Sequence, residues 1–170
     1  TVNPVVPAAP TSPTATAGDT QASVAFVAPV NNGGSAITGY TVTTNPADVA
    51  PISGAASPIV ITGLTNGQAY TFTVTANNAA GTGPASAASN SITPAAIQTI
   101  TFANPGAQNF GTSPTLTATS DSGLTPTFTS STTAVCTITS GGALTFVTAG
   151  SCTINADQAG NASYLPAPQV

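Results

Sequence analysis

The sequence predicts an all-β chain built as two tandem β-sandwich domains. Three observations predict it. Apolar residues alternate with Thr and Ser in short runs, the period of a strand with one buried face. Gly, Pro and Asn break those runs at near-regular intervals, as the turns of a sandwich or barrel do. Helix formers are nearly missing: the chain has neither Glu nor Lys, and no sustained 3.6-residue periodicity.

Residues 1–6, Thr1-Val2-Asn3-Pro4-Val5-Val6, read as the end of a strand, and Pro7-Ala8-Ala9-Pro10 as a stiff linker, so that residues 1–9 stand outside the first domain. The first domain is expected over 10–94, with strands at 13–17, 21–28, 38–44, 58–62, 69–76 and 87–92. Its inward face is expected to carry Ala22, Val24 and Phe26; Tyr40 and Val42; Ile59, Ile61 and Leu64; and Tyr70, Phe72, Val74 and Ala76. The outward positions are mostly Thr or Ser, which suit a solvated strand face. Asn31-Asn32-Gly33-Gly34 and Asn66-Gly67 have turn chemistry. Residues 95–97 form a second linker, too short for free swinging. The second domain, 98–170, is expected to hold strands at 98–102, 114–119, 126–130, 135–139, 143–148 and 151–156. Ile100, Phe102, Leu116, Ala118, Cys136, Ile138, Leu144, Phe146, Cys152, Ile154 and Ala156 are expected inward.

Composition bounds the function. The 170 residues contain no Lys, Arg or His, and charged residues are 2%, against about 25% in an ordinary soluble chain. Nucleic-acid binding draws its affinity from cations that neutralise phosphates, so no nucleic-acid partner is expected. Attraction to anionic lipid is missing for the same reason. No apolar run approaches the ~20 residues of a membrane helix, so no membrane insertion is expected either. The start at Thr1 reads as an internal or processed start.

Particular segments then resemble known families. Gly33-Gly34-Ser35-Ala36-Ile37-Thr38-Gly39-Tyr40-Thr41-Val42, Ile61-Thr62-Gly63-Leu64-Thr65-Asn66-Gly67-Gln68-Ala69-Tyr70 and the run 71–81 make residues 10–94 similar to a fibronectin type III domain of the bacterial extracellular kind. The resemblance implies that Tyr70 makes the tyrosine corner of that fold. The family's usual strand-B Trp is replaced by Phe26, and its Arg-Gly-Asp is absent, since Ala17 precedes Gly18-Asp19. Gln98-Thr99-Ile100-Thr101-Phe102, the runs 122–131 and 134–138, Ala149-Gly150-Ser151-Cys152-Thr153-Ile154 and 158–164 make residues 97–170 resemble a bacterial immunoglobulin-like repeat. That resemblance implies a further last strand beyond Tyr164 ending in a Phe-Thr-Val-like segment. The chain reaches only Pro168-Gln169-Val170, while Thr1–Val6 resembles the end of such a strand. Residues 1–6 are therefore expected to belong to a preceding immunoglobulin-like domain, the whole approximating one repeat of a longer fibre, with strands shared between neighbouring repeats or copies.

Candidate chemistry is sparse. Cys136 and Cys152 flank one hairpin on inward faces, and a disulfide is expected in a secreted domain, two buried free thiols being the competing reading. Two Cys without His cannot complete a zinc shell, and no cation is present to activate a thiolate. Asp19, Asp48, Asp121 and Asp157 are dispersed, which suits surface turns better than a Ca²⁺ site or a glycosidase pair. Ser and Thr abound without a base to make one a nucleophile. Asn161-Ala162-Ser163 fits the N-glycosylation sequon, a match expected to be fortuitous. Neither an enzymatic activity nor a cofactor is expected. The leading expectation is a non-catalytic structural segment of a secreted or surface-displayed protein: a stalk, fibre or filament. A glycan- or protein-binding adhesin, with Phe110 or Tyr164 in a concave patch, is the alternative. An accessory domain of a secreted hydrolase is a third.

Overall fold

A computed structural model of the chain describes residues 3–170. The fold divides into two units, the first ending at Ala96 and the second beginning at Ile97. Described residues in regular structure are all in strands.

The first unit holds seven strands: β1 (Thr11–Gly18), β2 (Gln21–Val27), β3 (Gly39–Asn45), β4 (Ile52–Gly54), β5 (Ile59–Thr62), β6 (Thr71–Asn78) and β7 (Gly81–Thr82). They form a three-stranded sheet, β1-β2-β5, and a four-stranded sheet, β4-β3-β6-β7. Alternation decides which side chains the two sheets enclose. In β2, Ala22, Val24 and Phe26 are buried while Gln21, Ala25 and Val27 are exposed; in β6, Phe72, Val74 and Ala76 are buried. Every residue expected inward in this domain is in its core. Phe26 packs its ring 4.8 Å from that of Tyr40, so a Phe–Tyr pair occupies the interior in which the sequence lacks a Trp.

The last segment of this unit is not the regular strand expected over 87–92. Residues 83, 86, 89 and 92 donate their amides to Ala76, Val74, Phe72 and Tyr70, taking three residues for every two of β6. Two serines make that mismatch possible. The Ser86 and Ser89 hydroxyls accept the Val74 and Phe72 amides at 3.0 and 3.1 Å, where a ladder would offer carbonyls. Asn90 then mimics a backbone pair across to the other sheet, accepting from the Ala15 amide at 2.8 Å and donating to the Ala15 carbonyl at 3.0 Å. The result clasps β6 to β1 and leaves a flank that another strand cannot readily copy.

Residues 5–10 correct one expectation. The Val5 amide donates to the Gly33 carbonyl at 2.8 Å, the Asn78 side chain donates to the Val5 carbonyl at 2.7 Å, and the Ala8 amide donates to the Asn31 carbonyl at 3.0 Å. Pro7 and Pro10 are buried. Val5–Pro10 thus belongs to the first unit's own fabric and is neither a free linker nor, at Val5 and Val6, part of a preceding domain. Asn3 and Pro4 are exposed, and Thr1 and Val2 lie outside the described residues. Gly33 permits the docking: a Cβ there would lie 1.9 Å from the Val5 carbonyl oxygen, and its φ is +72°. Gly34 has a similar φ, +79°, but open space around it. Gly33→Ala is therefore expected to cost about 1–3 kcal/mol and to abolish exchange protection of the Val5 and Ala8 amides. Gly34→Ala should cost less and leave those amides protected. Urea unfolding with amide exchange measures both, and equal behaviour of the two variants would contradict the packing described.

The second unit has shorter strands: β8 (Ile100–Thr101), β9 (Thr119–Ser120), β10 (Thr127–Ser130), β11 (Cys136–Ile138), β12 (Leu144–Phe146) and β13 (Ile154–Asp157). β8 pairs β9, β11 pairs β12, and β10 pairs β13, all antiparallel. Residues 114–116 line β12 through the bonds Leu116 to Gly142 and Leu144 to Pro114. Residues 167–170 line β13, with Val170 and Ala156 exchanging both backbone bonds at 2.8 and 3.1 Å. Every residue expected inward packs in or against the core, which Phe128 joins with its ring 5.4 Å from that of Phe102. Among the described residues the buried apolar core numbers six here against thirteen in the first unit. This smaller interior has less burial to offset chain entropy.

Candidate functional site

The described side chains converge on structural constellations. Tyr70 is the first. It follows the turn that joins β5 to β6, and its ring is buried at 1% exposure. Its hydroxyl accepts the Thr65 amide at 3.1 Å and donates to Asp48 Oδ2 at 2.7 Å. The Gly67 amide of the same turn donates to Pro94 at 2.9 Å, and Asn66 bonds both the Thr20 amide and the Asp19 carboxylate. One hydroxyl therefore anchors the turn against which the β1–β2 turn and the last residues of the unit also lean.

Cys136 and Cys152 form a disulfide with Cα atoms 5.7 Å apart, and no cysteine is free among the described residues. Cys136 is fully buried at the centre of the smaller core. Ser130 sends its hydroxyl to the Cys136 carbonyl at 2.8 Å, tying β10 to β11 beside the bridge.

Gln98 was not among the expected core residues, although its parity with Ile100 and Phe102 was the available signal. It is 1% exposed. Its amide nitrogen donates to the Leu165 carbonyl at 2.8 Å, and its amide oxygen accepts the hydroxyls of Ser120 and Ser122. A buried amide satisfied on both sides acts as a polar knot, here joining the start of the unit to its last segment.

The four carboxylates stay apart. Asp19 holds Asn66, Asp48 holds Tyr70, and Asp157 accepts Gln169 at 2.6 Å. Asp121 accepts the Thr99 amide at 2.9 Å and the Thr99 hydroxyl at 2.7 Å. These bonds, the backbone one foremost, hold the Asp121 carboxyl below its ordinary value. A depressed folded-state value gives stability that is present above the unfolded value and lost as pH falls through the folded one. The second unit should therefore melt at a constant temperature from about pH 5 to 8, where no His, Lys or Arg titrates, and lose stability only below about pH 4. Asp121→Asn should blunt the acid loss. Calorimetry across pH 2–8 checks this, and a steep change near pH 6.5 would contradict it.

No three His, Cys, Asp or Glu side chains converge as a metal site among the described residues, and no helix among them is long and apolar enough to cross a membrane. Asn161 turns its side-chain oxygen inward to the Ser163 and Tyr164 amides at 2.8 and 3.0 Å, an Asx turn at the sequon. Tyr164 is half-buried, and Phe110 is 65% exposed. A groove of about 760 Å³ opens in the second unit, with Asn104, Gln108, Ser151 and Thr153 among its polar lining. Phe102, Leu116, Leu144, Phe146, Ile154 and Cys152 line it, and neither Phe110 nor Tyr164 does.

Residues 8–92 match the family of the fibronectin type III domain. Among solved structures, domains A168–A170 of titin are 22% identical, with 52% of this chain and 32% of that one covered and a TM-score of 0.47. The chain thus spans about a third of the length of that structure. The FN1–FN3 domains of chicken CNTN1 are 21% identical over 55% of this chain and 34% of that one, with a TM-score of 0.45. Titin module A71 from human cardiac muscle is 30% identical over 53% of this chain and 92% of the module, with a TM-score of 0.43. No curated protein matches the chain.

Proposed function

This chain belongs to the fibronectin type III domain family, and from that premise we propose that it is a non-catalytic structural segment of an extracellular, bacterial repeat protein, a spacer in a stalk, fibre or filament. Its second unit is read as an immunoglobulin-like repeat. Domains of the family serve commonly as structural or binding modules. The observation that carries the reading is the succession of two β units with separate cores, the smaller one fastened by a cystine. Disulfides form and persist in oxidising compartments outside the cytosol. Low charge supports the same reading, because neighbouring shafts then meet little repulsion. The outward strand positions, mostly Thr and Ser, need no partner to remain solvated.

A glycan- or protein-binding role is the second reading: Phe102 and Phe146 line the groove with the polar Asn104, Gln108, Ser151 and Thr153, although the exposed Phe110 ring and Tyr164 do not. Immunogold labelling of intact, unpermeabilised cells with antibody against the chain tests the proposal. Label along extended surface structures is expected. Intact cells without label, with label confined to the cytosol in thin sections of the same cells, would overturn it, and saturable micromolar glycan binding by the isolated chain would favour the alternative.

A further inference from the structure

The two halves of the cystine stand in unlike surroundings. Cys136 is 0% exposed, inside the smaller core. Its backbone is held without help from the bridge. It stands opposite Phe146 in the β11–β12 ladder, its amide donates to the Thr132 carbonyl at 3.0 Å, and its carbonyl accepts the Ser130 hydroxyl at 2.8 Å. Cys152 lies outside the strands, on the segment between β12 and β13, and is half-buried. It lines the groove together with Ser151 and Thr153, and Cys136 does not. A solute in the groove therefore meets one half of the bridge and not the other.

One hydroxyl distinguishes the two sulfurs chemically. Thr132 Oγ1 accepts the Thr153 amide at 2.8 Å and lies 3.5 Å from Cys136 Sγ. A cystine sulfur carries no proton, so the hydroxyl is the donor in that contact. Ser130 Oγ is also 3.5 Å from the same sulfur, but its single proton goes to the Cys136 carbonyl. A hydrogen bond aimed at Cys136 Sγ strengthens as negative charge develops there. Breaking the bridge with the charge left on Cys136 is thereby favoured. Access and leaving-group stabilisation both decide which sulfur of a disulfide is attacked, and here both select Cys152.

We propose that Cys152 is a thiol-capture site, at which a low-molecular-weight thiol entering the groove exchanges with the cystine. The solute's thiolate attacks Cys152 Sγ. A sulfur–sulfur bond forms there, the bond between Cys152 and Cys136 breaks, and its electron pair leaves on Cys136 Sγ. Cys136 takes up the proton that the solute thiol gave up. One thiol is consumed and one is released, so the electrons balance without a further oxidant or reductant. The solute supplies the thiolate and the chain supplies the electrophile, so a chain without cations can take part. The captured group stays in the groove. Cys136, still fixed by β12 and Ser130, remains placed to attack back and restore the bridge. Capture is therefore reversible, and the covalent tie of the smaller unit answers to the thiol concentration around it. The site needs the folded second unit alone, so it goes beyond the spacer reading without resting on it.

The test treats the full chain with millimolar 2-mercaptoethanol at about pH 8, where part of the thiol is thiolate. Samples are quenched in acid, free thiols are capped with N-ethylmaleimide, and both groups are located by mass spectrometry of peptic peptides. Leu144 and Phe146 lie between the two cysteines and offer pepsin its cuts. The mercaptoethanol adduct is expected on Cys152, with maleimide on Cys136, in about tenfold excess or more over the reverse arrangement. In urea that unfolds the second unit the two arrangements should become comparable, because access and the Thr132 hydroxyl no longer tell the sulfurs apart. Thr132→Val is expected to slow adduct formation on the folded chain about threefold or more, and Thr132→Ser to keep the original rate. Comparable adducts on both cysteines of the folded chain, an excess on Cys136, or no adduct would overturn the proposal. That partition decides the matter even where Thr132→Val unfolds the unit. An unchanged rate in a folded Thr132→Val variant would overturn the role given to Thr132.

Discussion

Replacing both Cys136 and Cys152 by Ala is expected to lower the melting temperature of the second unit by roughly 12–24 °C and to leave the first unit's transition in place. The bridge spans a sequence separation of 16, and closing a loop of that size is worth about 3 kcal/mol in the chain-entropy model. A domain of 60–100 residues shifts about 4–8 °C for each kcal/mol. The effect should be large here because the second unit has little else to draw on. Its strands are two to four residues long, and its buried apolar core residues are Ile100, Leu116, Phe128, Cys136, Leu144 and Ala156. Two of its antiparallel pairs, β10 with β13 and β11 with β12, belong to different two-stranded ladders. The cystine reaches from Cys136 in β11 to the residues leading into β13, so its loss removes the covalent tie between those ladders, leaving hydrogen bonds such as Ser130 to the Cys136 carbonyl, as well as enlarging the unfolded ensemble. Differential scanning calorimetry of the full chain should show one transition moving and one fixed. A single transition that moves as a whole, or none that moves, would contradict this account.

How much was legible in the sequence follows from which residues obey period two. In the first unit Phe72, Val74 and Ala76 alternate with Thr71, Thr73 and Thr75, and Ala22, Val24 and Phe26 hold every second position of β2, so both the strands and their buried faces could be read directly. The cysteines were legible for the same reason: two inward positions flanking one hairpin. The edge at 83–92 was not legible as built. Its period is three, because the Ser86 and Ser89 hydroxyls stand in for carbonyls, and no propensity rule marks a serine that acts as backbone. Asn90 is hidden likewise, since its bonds to Ala15 span 75 residues of sequence. The strands β4 and β7, of three and two residues, are too short to show any period. Residues 5–10 were misplaced because Pro7 and Pro10 carry linker chemistry, whereas the contacts that hold them come from Asn31, Gly33 and Asn78 far along the chain. The groove could not be read at all, since it depends on which flank of β13 the residues near Val170 choose.

Tyr70→Ala is expected to destabilise the first unit by about 3–5 kcal/mol, the usual cost of emptying a buried aromatic site. Tyr70→Phe should cost about 1–2 kcal/mol, because only the hydroxyl's two bonds are lost. The gap between the variants separates what the ring does from what the hydroxyl does. The ring lies 6.4 Å from Phe72 in a stacked arrangement inside the core, and its removal leaves a void between the sheets. The hydroxyl sits where the chain reaches the surface, since Thr65 and Asp48 are both exposed, so water can replace part of what the Phe variant loses and the charge on Asp48 is screened. Asp48→Asn alone should therefore cost less than Tyr70→Phe, and combining the two should add little to Tyr70→Phe, as expected of residues sharing one bond. The bond to the Thr65 amide has a different role. It fixes the turn whose Gly67 amide holds Pro94 and whose Asn66 holds Thr20, so three loops at one end of the unit depend on it. In the proposed spacer role, tension would enter through those terminal residues. Tyr70→Phe should thus raise amide exchange at Gly67 and Thr20 well beyond the global change in stability, while the amides of Val42 and Val74 in the sheet interior follow the global change alone. Uniform acceleration at all four amides would mean that the hydroxyl contributes to overall stability without fastening this end of the unit.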